Sequence, residues 1–227
     1  MSPLDDRPGE AQPPQRLVQA RLTMVADQIA ARGVRDARVL AAMREVPRHE
    51  FVPPAMRDQA YVDAPLPIGL GQTISQPYIV ALMTELARPA ATDTALEVGT
   101  GSGYQAAVLS RVVARVHSIE LLEPLAASAA ATLARLGYAN VQVRRGDGYQ
   151  GWPEQAPFDI ILVTAAPEEV PPALVAQLKP GGRMVIPIGP VGSVQDLLLI
   201  EKDAAGRAAR RSVIPVRFVP LVKGREG

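Results

Sequence analysis

Leu96-Glu97-Val98-Gly99-Thr100-Gly101-Ser102-Gly103-Tyr104 is the stretch that decides the fold. A short apolar run leads into glycines at 99, 101 and 103, and helical spacing begins at Tyr104. Glycines let the backbone turn tightly and let a ligand lie against it. The pattern reads as strand, glycine loop, helix. A dinucleotide fingerprint would place a small residue at 104 for close helix–strand packing, but Tyr104 stands there. Taken alone, the loop could also be a βα turn that holds no ligand.

Outward from this loop the chain alternates. Strands are expected at 95–98, 116–119, 141–143, 158–163 and 184–188, with helices at 104–114, 124–136 and 168–178. Two further strands are expected at 197–200 and 212–218. The run at 158–163 is nearly all apolar, as in a strand buried on both faces. Repeated βα units predict an α/β fold: a Rossmann-like, doubly wound, mostly parallel sheet with helices on both faces. Lys179-Pro180-Gly181-Gly182 reads as the turn into the fifth strand.

Upstream, residues 16–31 have helical apolar spacing that ends near Gly33. Asp36 can cap a second helix, 37–45, which stops before Pro47. Residues 48–70 read as irregular, with prolines at 53, 54, 65 and 67, and a long ordered loop of this kind often covers a site. The expected organisation is a flexible tail (1–15) and a single domain (16–227). Within that domain, 16–91 form a helical cover with an acceptor loop, and 92–227 form the binding core and C-terminal strands.

Composition narrows the chemistry. With 227 residues, 48% of them apolar, the chain can bury a full core. The net charge of +1 gives no global field toward nucleic acid or anionic lipid, and 4% aromatics are too few for a base-stacking platform. Having no cysteine, the chain lacks disulfides, thiolate zinc sites, iron–sulfur clusters and a cysteine nucleophile. No His/Asp/Glu cluster has metal-ligand spacing, so no metal is expected. Residues 1–15 lack the apolar core of a signal peptide, and no run is long enough to span a membrane. A soluble, cytoplasmic monomer that binds neither nucleic acid nor membrane is the expectation.

Three acids stand at the ends of the first three strands. Glu97 precedes the glycine loop, Glu120 ends the second strand, and Asp147 follows the third within Gly146-Asp147-Gly148. A carboxylate at the position of Glu120 can accept both hydroxyls of a ribose. Asp147 can accept an adenine amino group, with Gly148 beside it, and Glu97 can bind an amino group directly or through water. Each acid alone is more often a solvated turn residue, but together they gather around one ligand position. The Gly-x-Gly-x-Gly spacing after an acid resembles motif I of class I methyltransferases. That resemblance implies S-adenosyl-L-methionine as cofactor, held by Glu97, Gly99, Gly101, Gly103, Glu120, Asp147 and Gly148.

The acceptor is signalled elsewhere. Val163-Thr164-Ala165-Ala166-Pro167 lacks the Asn/Asp-Pro-Pro-aromatic motif of enzymes that methylate amino groups. Gly69-Leu70-Gly71-Gln72-Thr73-Ile74-Ser75-Gln76-Pro77 closely resembles the protein-L-isoaspartate O-methyltransferase family. Further matches are Val46-Pro47-Arg48 with Phe51-Val52-Pro53, Gly146-Asp147-Gly148 with Gly151-Trp152, the 163–167 stretch, and Val216-Arg217-Phe218-Val219-Pro220-Leu221-Val222. The resemblance covers about residues 16–224. It implies that Ser75 is the active-site serine, that Gln72, Thr73 and Ile74 lie between cofactor and acceptor, and that Val219 and Leu221 help wall a peptide groove. The implied substrates are L-isoaspartyl proteins and peptides.

The chemistry agrees with that implication. In an isoaspartyl residue the free acid is the α-carboxyl, whose pKa of about 3.5 leaves it ionised at neutral pH. No general base is needed, which suits a chain whose two histidines, His49 and His117, read as structural. Ser75 would donate a hydrogen bond that orients the carboxylate. Without the resemblance, a serine just before Gln76-Pro77 reads as a helix N-cap. Two rival functions are another class I O-methyltransferase acting on a small molecule or nucleic acid, and a silent cofactor-binding module. The Gln72–Pro77 block speaks against the first, and the intact Ser75 and acids speak against the second.

Overall fold

The computed structural model describes residues 15–224, so the tail expected at 1–15 lies outside it except for Gln15. Gln15 already belongs to α1 (Gln15–Thr23). The single helix expected over 16–31 is segmented: α1 passes into a π-helical turn, Met24–Ile29, and a 3-10 turn, Ala30–Arg32. Gly33, at φ 98°, closes it in the left-handed conformation. Asp36 caps α2 (Ala37–Glu45) by accepting from the Arg38 amide at 2.9 Å.

The irregular stretch contains more order than its prolines suggest. Two 3-10 turns, Arg48–Phe51 and Pro54–Gln59, precede a hairpin of β1 (Leu66–Gly69) and β2 (Gln72–Ile74). The strands are short and carry a register shift between Pro67 and Gly69, so period-2 patterning had too few residues in which to show. α3 (Pro77–Leu86) follows, with Gln76 at its N-cap position and no side chain capping it. Ser75 is therefore not a helix cap.

The core then runs β3 (Thr94–Val98), α4 (Tyr104–Ser110), β4 (Arg115–Glu120), α5 (Glu123–Arg135), β5 (Val141–Arg145), β6 (Phe158–Val163), α6 (Pro172–Gln177), β7 (Leu178–Ile188), β8 (Gln195–Lys202) and β9 (Ala208–Val216). Among the described residues seven strands form one sheet in the order β5-β4-β3-β6-β7-β8-β9. Pairings from β5 through β7 are parallel, and β8 and β9 join antiparallel. Both α4 and α6 are shorter than their apolar spacing suggested. β7 is longer, because it runs through Lys179-Pro180-Gly181-Gly182, which bulges out between the pairings of Phe158 with Leu178 and Ile160 with Arg183; Gly181 has the positive φ, 82°, of the turn expected there. β9 ends at Val216, two residues before the expected strand end.

β6 shows how the sheet makes its core. Ile160 and Leu162 enter the cluster that holds Met24, Ile29, Met43 and Val108, while Ile161 and Val163 enter the cluster of Trp152, Phe158 and Leu174 on the other face. Alternation splits one apolar strand between two layers. The first layer unites the N-terminal helices with α3 and α4, so the cover shares a core with the sheet. His117 packs edge-on against Trp152 with ring centroids 5.2 Å apart, and His49 Nδ1 lies 2.6 Å from the Tyr61 hydroxyl, so both have the structural surroundings expected.

Candidate functional site

Strand order reverses between β3 and β6: β4 lies on one side of β3, and β6 on the other. In open α/β sheets the crevice beyond the carboxyl ends of such strands is the natural ligand site. The glycine loop leaves β3 there, Thr164 leaves β6 there, and a cavity lies over both. Its lining includes Glu97, Gly99, Gly101, Glu120 and Gly148, together with Gln72, Thr73, Ile74 and Ser75 from the hairpin side.

Glu97 is fully buried. The Ser118 hydroxyl donates to its Oε2, Thr100 Oγ1 stands 2.5 Å from Ser118 Oγ, and Glu97 Oε1 has no hydrogen-bond partner. Burial pushes the carboxyl up to about 8; the Ser118 bond opposes this and the nearby Glu120 charge adds to it. A cavity-lining carboxyl with one oxygen left without a partner is suited to a cationic group.

Glu120 is also buried, but it is tied on both oxygens. It accepts from the Gly101 amide at 2.8 Å and from the Leu122 amide at 3.0 Å. Each oxygen keeps lone-pair capacity toward the cavity. The glycine loop is equally constrained. At Gly99, φ is 95° and an added Cβ would meet Thr164 Oγ1 at 2.6 Å. Thr164 Oγ1 also donates to the Gly99 carbonyl at 2.6 Å, fastening the loop to the end of β6. A Cβ at Gly148 would meet Val98 at 2.5 Å.

Two residues expected at the cofactor do not reach the cavity lining. Gly103 sits behind the loop, where a Cβ would meet Leu133 at 3.2 Å, so its smallness serves helix packing against α5. Asp147 accepts from the Tyr149 amide at 2.9 Å and the Gly224 amide at 3.1 Å, and its neighbour Gly148 lines the cavity instead.

A second cavity, about 510 Å³, adjoins the first. It is lined by Tyr78 and Ile79 of α3, by Arg32 of the cover, and by Ile214, Val216, Arg217 and Phe218 around the end of β9. Thr73, Ser75, Thr164 and Val219 line both cavities and form the throat between them. Ser75 and Thr73 thus lie between the two cavities. Gln72 and Ile74, expected between cofactor and acceptor, and Leu221, expected at the peptide groove, line the first cavity only.

The segment after β9 is clamped across the throat. The Phe218 amide donates to Gln195 Oε1 at 2.8 Å, the Ala166 amide to the Val219 carbonyl at 2.8 Å, and the Leu221 amide to the Ala166 carbonyl at 2.9 Å. The sequence reading gave no role to Thr164, Gln195 or Arg32. Thr164 had a usable signal, since it follows a strand beside the glycine-loop strand. Gln195 and Arg32 had none, because only the fold brings them near. Among the described residues no group of three or more His, Asp or Glu side chains is gathered to hold a metal.

This fold and cavity define a Rossmann-like methyltransferase architecture. The family described as protein-L-isoaspartate(D-aspartate) O-methyltransferase matches residues 20–226, and the chain belongs to it. Protein-L-isoaspartate O-methyltransferase 2 of Syntrophobacter fumaroxidans is 61% identical over 189 residues, covering 83% of this chain and 76% of its own. The Synechococcus protein-L-isoaspartate O-methyltransferase is 56% identical over 222 residues, covering 94% of this chain and 91% of its own. A solved protein-L-isoaspartate O-methyltransferase superposes with a TM-score of 0.79 at 32% identity, covering 89% of this chain and 65% of that one. A Plasmodium falciparum protein, described as belonging to the same enzyme class and solved in complex with S-adenosyl-L-homocysteine, superposes with a TM-score of 0.76 at 25% identity, covering 90% of this chain and 99% of that one.

Proposed function

We propose that this chain transfers a methyl group from S-adenosyl-L-methionine to the free α-carboxylate of L-isoaspartyl residues in damaged proteins, the step that initiates their repair. Family membership supports the activity and the cofactor. The observation that carries the site assignment is the throat: one chamber bears the buried acids and glycine loop, the other is an open groove, and Ser75 stands where they meet.

In this reading Glu97 receives the cofactor's amino group on its free oxygen, and Glu120 accepts the ribose hydroxyls. Gly99, Gly101 and Gly148 let the cofactor approach the backbone. Gly103 supports the loop by letting α5 pack close. Asp147 takes the adenine amino group once the Gly224 amide yields its oxygen. The bound cofactor supplies a methyl group already activated by a sulfonium. The chain's part is alignment: Ser75 donates to the acceptor carboxylate, while Thr73, Thr164 and Val219 keep the throat narrow enough to hold nucleophile and donor in line. Gln72, Ile74 and Leu221 close the cofactor chamber. The acceptor carboxylate is already ionised, so no residue need take a proton from it. No helix of the described residues is long and apolar enough to cross a membrane. The protein acts in the cytoplasm as a monomer, on isoaspartyl proteins and peptides rather than on nucleic acid or membrane.

The test uses labelled cofactor with a matched pair of peptides, one isoaspartyl and one aspartyl. Base-labile label on the isoaspartyl peptide alone is expected. Label on neither, or equally on both, overturns the assignment.

A further inference from the structure

We infer that Arg32 and Arg217 make the acceptor groove selective for isoaspartyl segments that carry an acidic side chain beside the damaged residue. The inference rests on the acceptor reading above. The two arginines come from distant parts of the chain, one from the cover and one from the segment after β9, yet they line the same groove. No Asp or Glu lines it with them. Most of the remaining wall is apolar, with Ile79, Ile214, Val216 and Phe218, so the charge of the groove comes from the two guanidinium groups, that of Arg32 partly offset by Asp63 at its side.

Arg32 is held in place. Its guanidinium lies 3.5 Å from the centroid of the Tyr78 ring, and its Nη1 is 3.0 Å from Asp63 Oδ2. That contact uses one of five donors and leaves the others available. Arg217 is exposed and has no ion-pair partner among the described residues. A segment in the groove already brings one anion, the isoaspartyl carboxylate, to the throat. A second anion beside it gains from the charge of Arg217 and from the free donors of Arg32, and a lysine there meets the Arg217 charge and gains no hydrogen bond from Arg32. The effect is that of rim charges in water: moderate, and weakened by salt.

The experiment measures binding, by fluorescence anisotropy, of three isoaspartyl peptides that differ only in having Glu, Gln or Lys next to the isoaspartyl residue. S-adenosyl-L-homocysteine is present, so no methyl transfer can occur. The full-length protein should bind the Glu peptide about 3- to 10-fold more tightly than the Lys peptide, with Gln between them. High salt should compress the spread, and the R32Q/R217Q double variant should nearly abolish it. Equal affinities, tighter binding of the Lys peptide, an unchanged spread in the double variant, or no measurable binding of any peptide would each overturn the inference. The wild-type comparison decides the matter even if the double variant fails to fold. Methyl transfer to the Gln peptide is followed separately with labelled cofactor. Absence of transfer with the binding spread intact would sink the acceptor reading and leave the charge preference standing.

Discussion

On the proposed reading, Ser75 is where the chemistry depends on one hydroxyl. It lies in the throat and does not cap α3, so its loss should not cost helix stability. Ser75→Ala should lower kcat/KM by about 1.5–3 kcal/mol, roughly 10- to 150-fold, by removing one charge-assisted hydrogen bond. Affinity for S-adenosyl-L-homocysteine should stay near wild type, since the acids lie in the other chamber. Steady-state kinetics and calorimetry on one preparation read both. A burst phase in the wild type with total loss in the variant would point to a covalent serine instead. Glu97 is the second residue with a measurable signature. Its carboxyl is raised from an ordinary 4.5 to about 8, so between those values the cofactor-free fold holds a proton that the unfolded chain has released. The fold therefore loses stability as pH rises through that window, and the contribution is gone above it. A cationic ligand group must displace the proton, so cofactor affinity should rise with pH up to about 8, by up to about tenfold per unit. Calorimetry near neutral pH in buffers of different ionisation enthalpy should show proton release in the wild type and none in Glu97→Gln. Equal proton release in both proteins would remove Glu97 from that role.

At the scale of elements, the site is a joint between strand ends. The glycine loop is pinned from below by Thr164 Oγ1 on the Gly99 carbonyl and from the side by Glu120 on the Gly101 amide. Gly99 combines a positive φ with a neighbour at 2.6 Å from a Cβ, so Gly99→Ala must both strain its backbone and push Thr164 aside. The strain alone is worth about 1–3 kcal/mol. S-adenosyl-L-homocysteine affinity should fall tenfold or more. Peptide affinity should change far less, because the groove is built from α3 and the segment after β9. Titration calorimetry showing wild-type cofactor affinity in Gly99→Ala would refute a rigid loop.

For the whole molecule, the cover and the sheet share one hydrophobic core, which predicts that they unfold together. Arg48, in the cover, is fully buried; its Nε donates to the Ala60 carbonyl at 2.7 Å and its guanidinium carbon lies 4.9 Å from the ring centroid of Tyr104, the first residue of α4. Burial brings its pKa down to about 10, while Tyr104 and Tyr61 favour the charged form. Arg48→Ala should destabilise the protein by about 2–5 kcal/mol, through a cavity and an unpartnered carbonyl. Arg48→Met, which keeps the volume, should cost less. Urea unfolding followed by far-UV circular dichroism and by Trp152 fluorescence should show coincident transitions in the wild type. An early transition confined to the helical signal would mean that the cover unfolds by itself.

The sequence by itself determined the sheet and the glycine loop that leaves its first core strand. Local rules sufficed there: apolar runs of strand length, glycines at alternate positions, and acids at strand ends all act within a few residues of chain. Asp36 as a cap, Gly33 as a left-handed stop and β6 as a strand buried on both faces were legible for the same reason. The motif at 69–77 signalled the acceptor side, through a resemblance rather than through local physics. What only the tertiary structure decided was direction and company. It turned Gly103 toward Leu133 and tied Asp147 to Gly224. It laid Gln72 and Ile74 against the first cavity and brought Arg32 and Arg217 to one groove. Such placements follow from which strands neighbour each other and how far each helix runs before packing stops it. Those are set by contacts between residues far apart in the chain, on which local spacing carries no information.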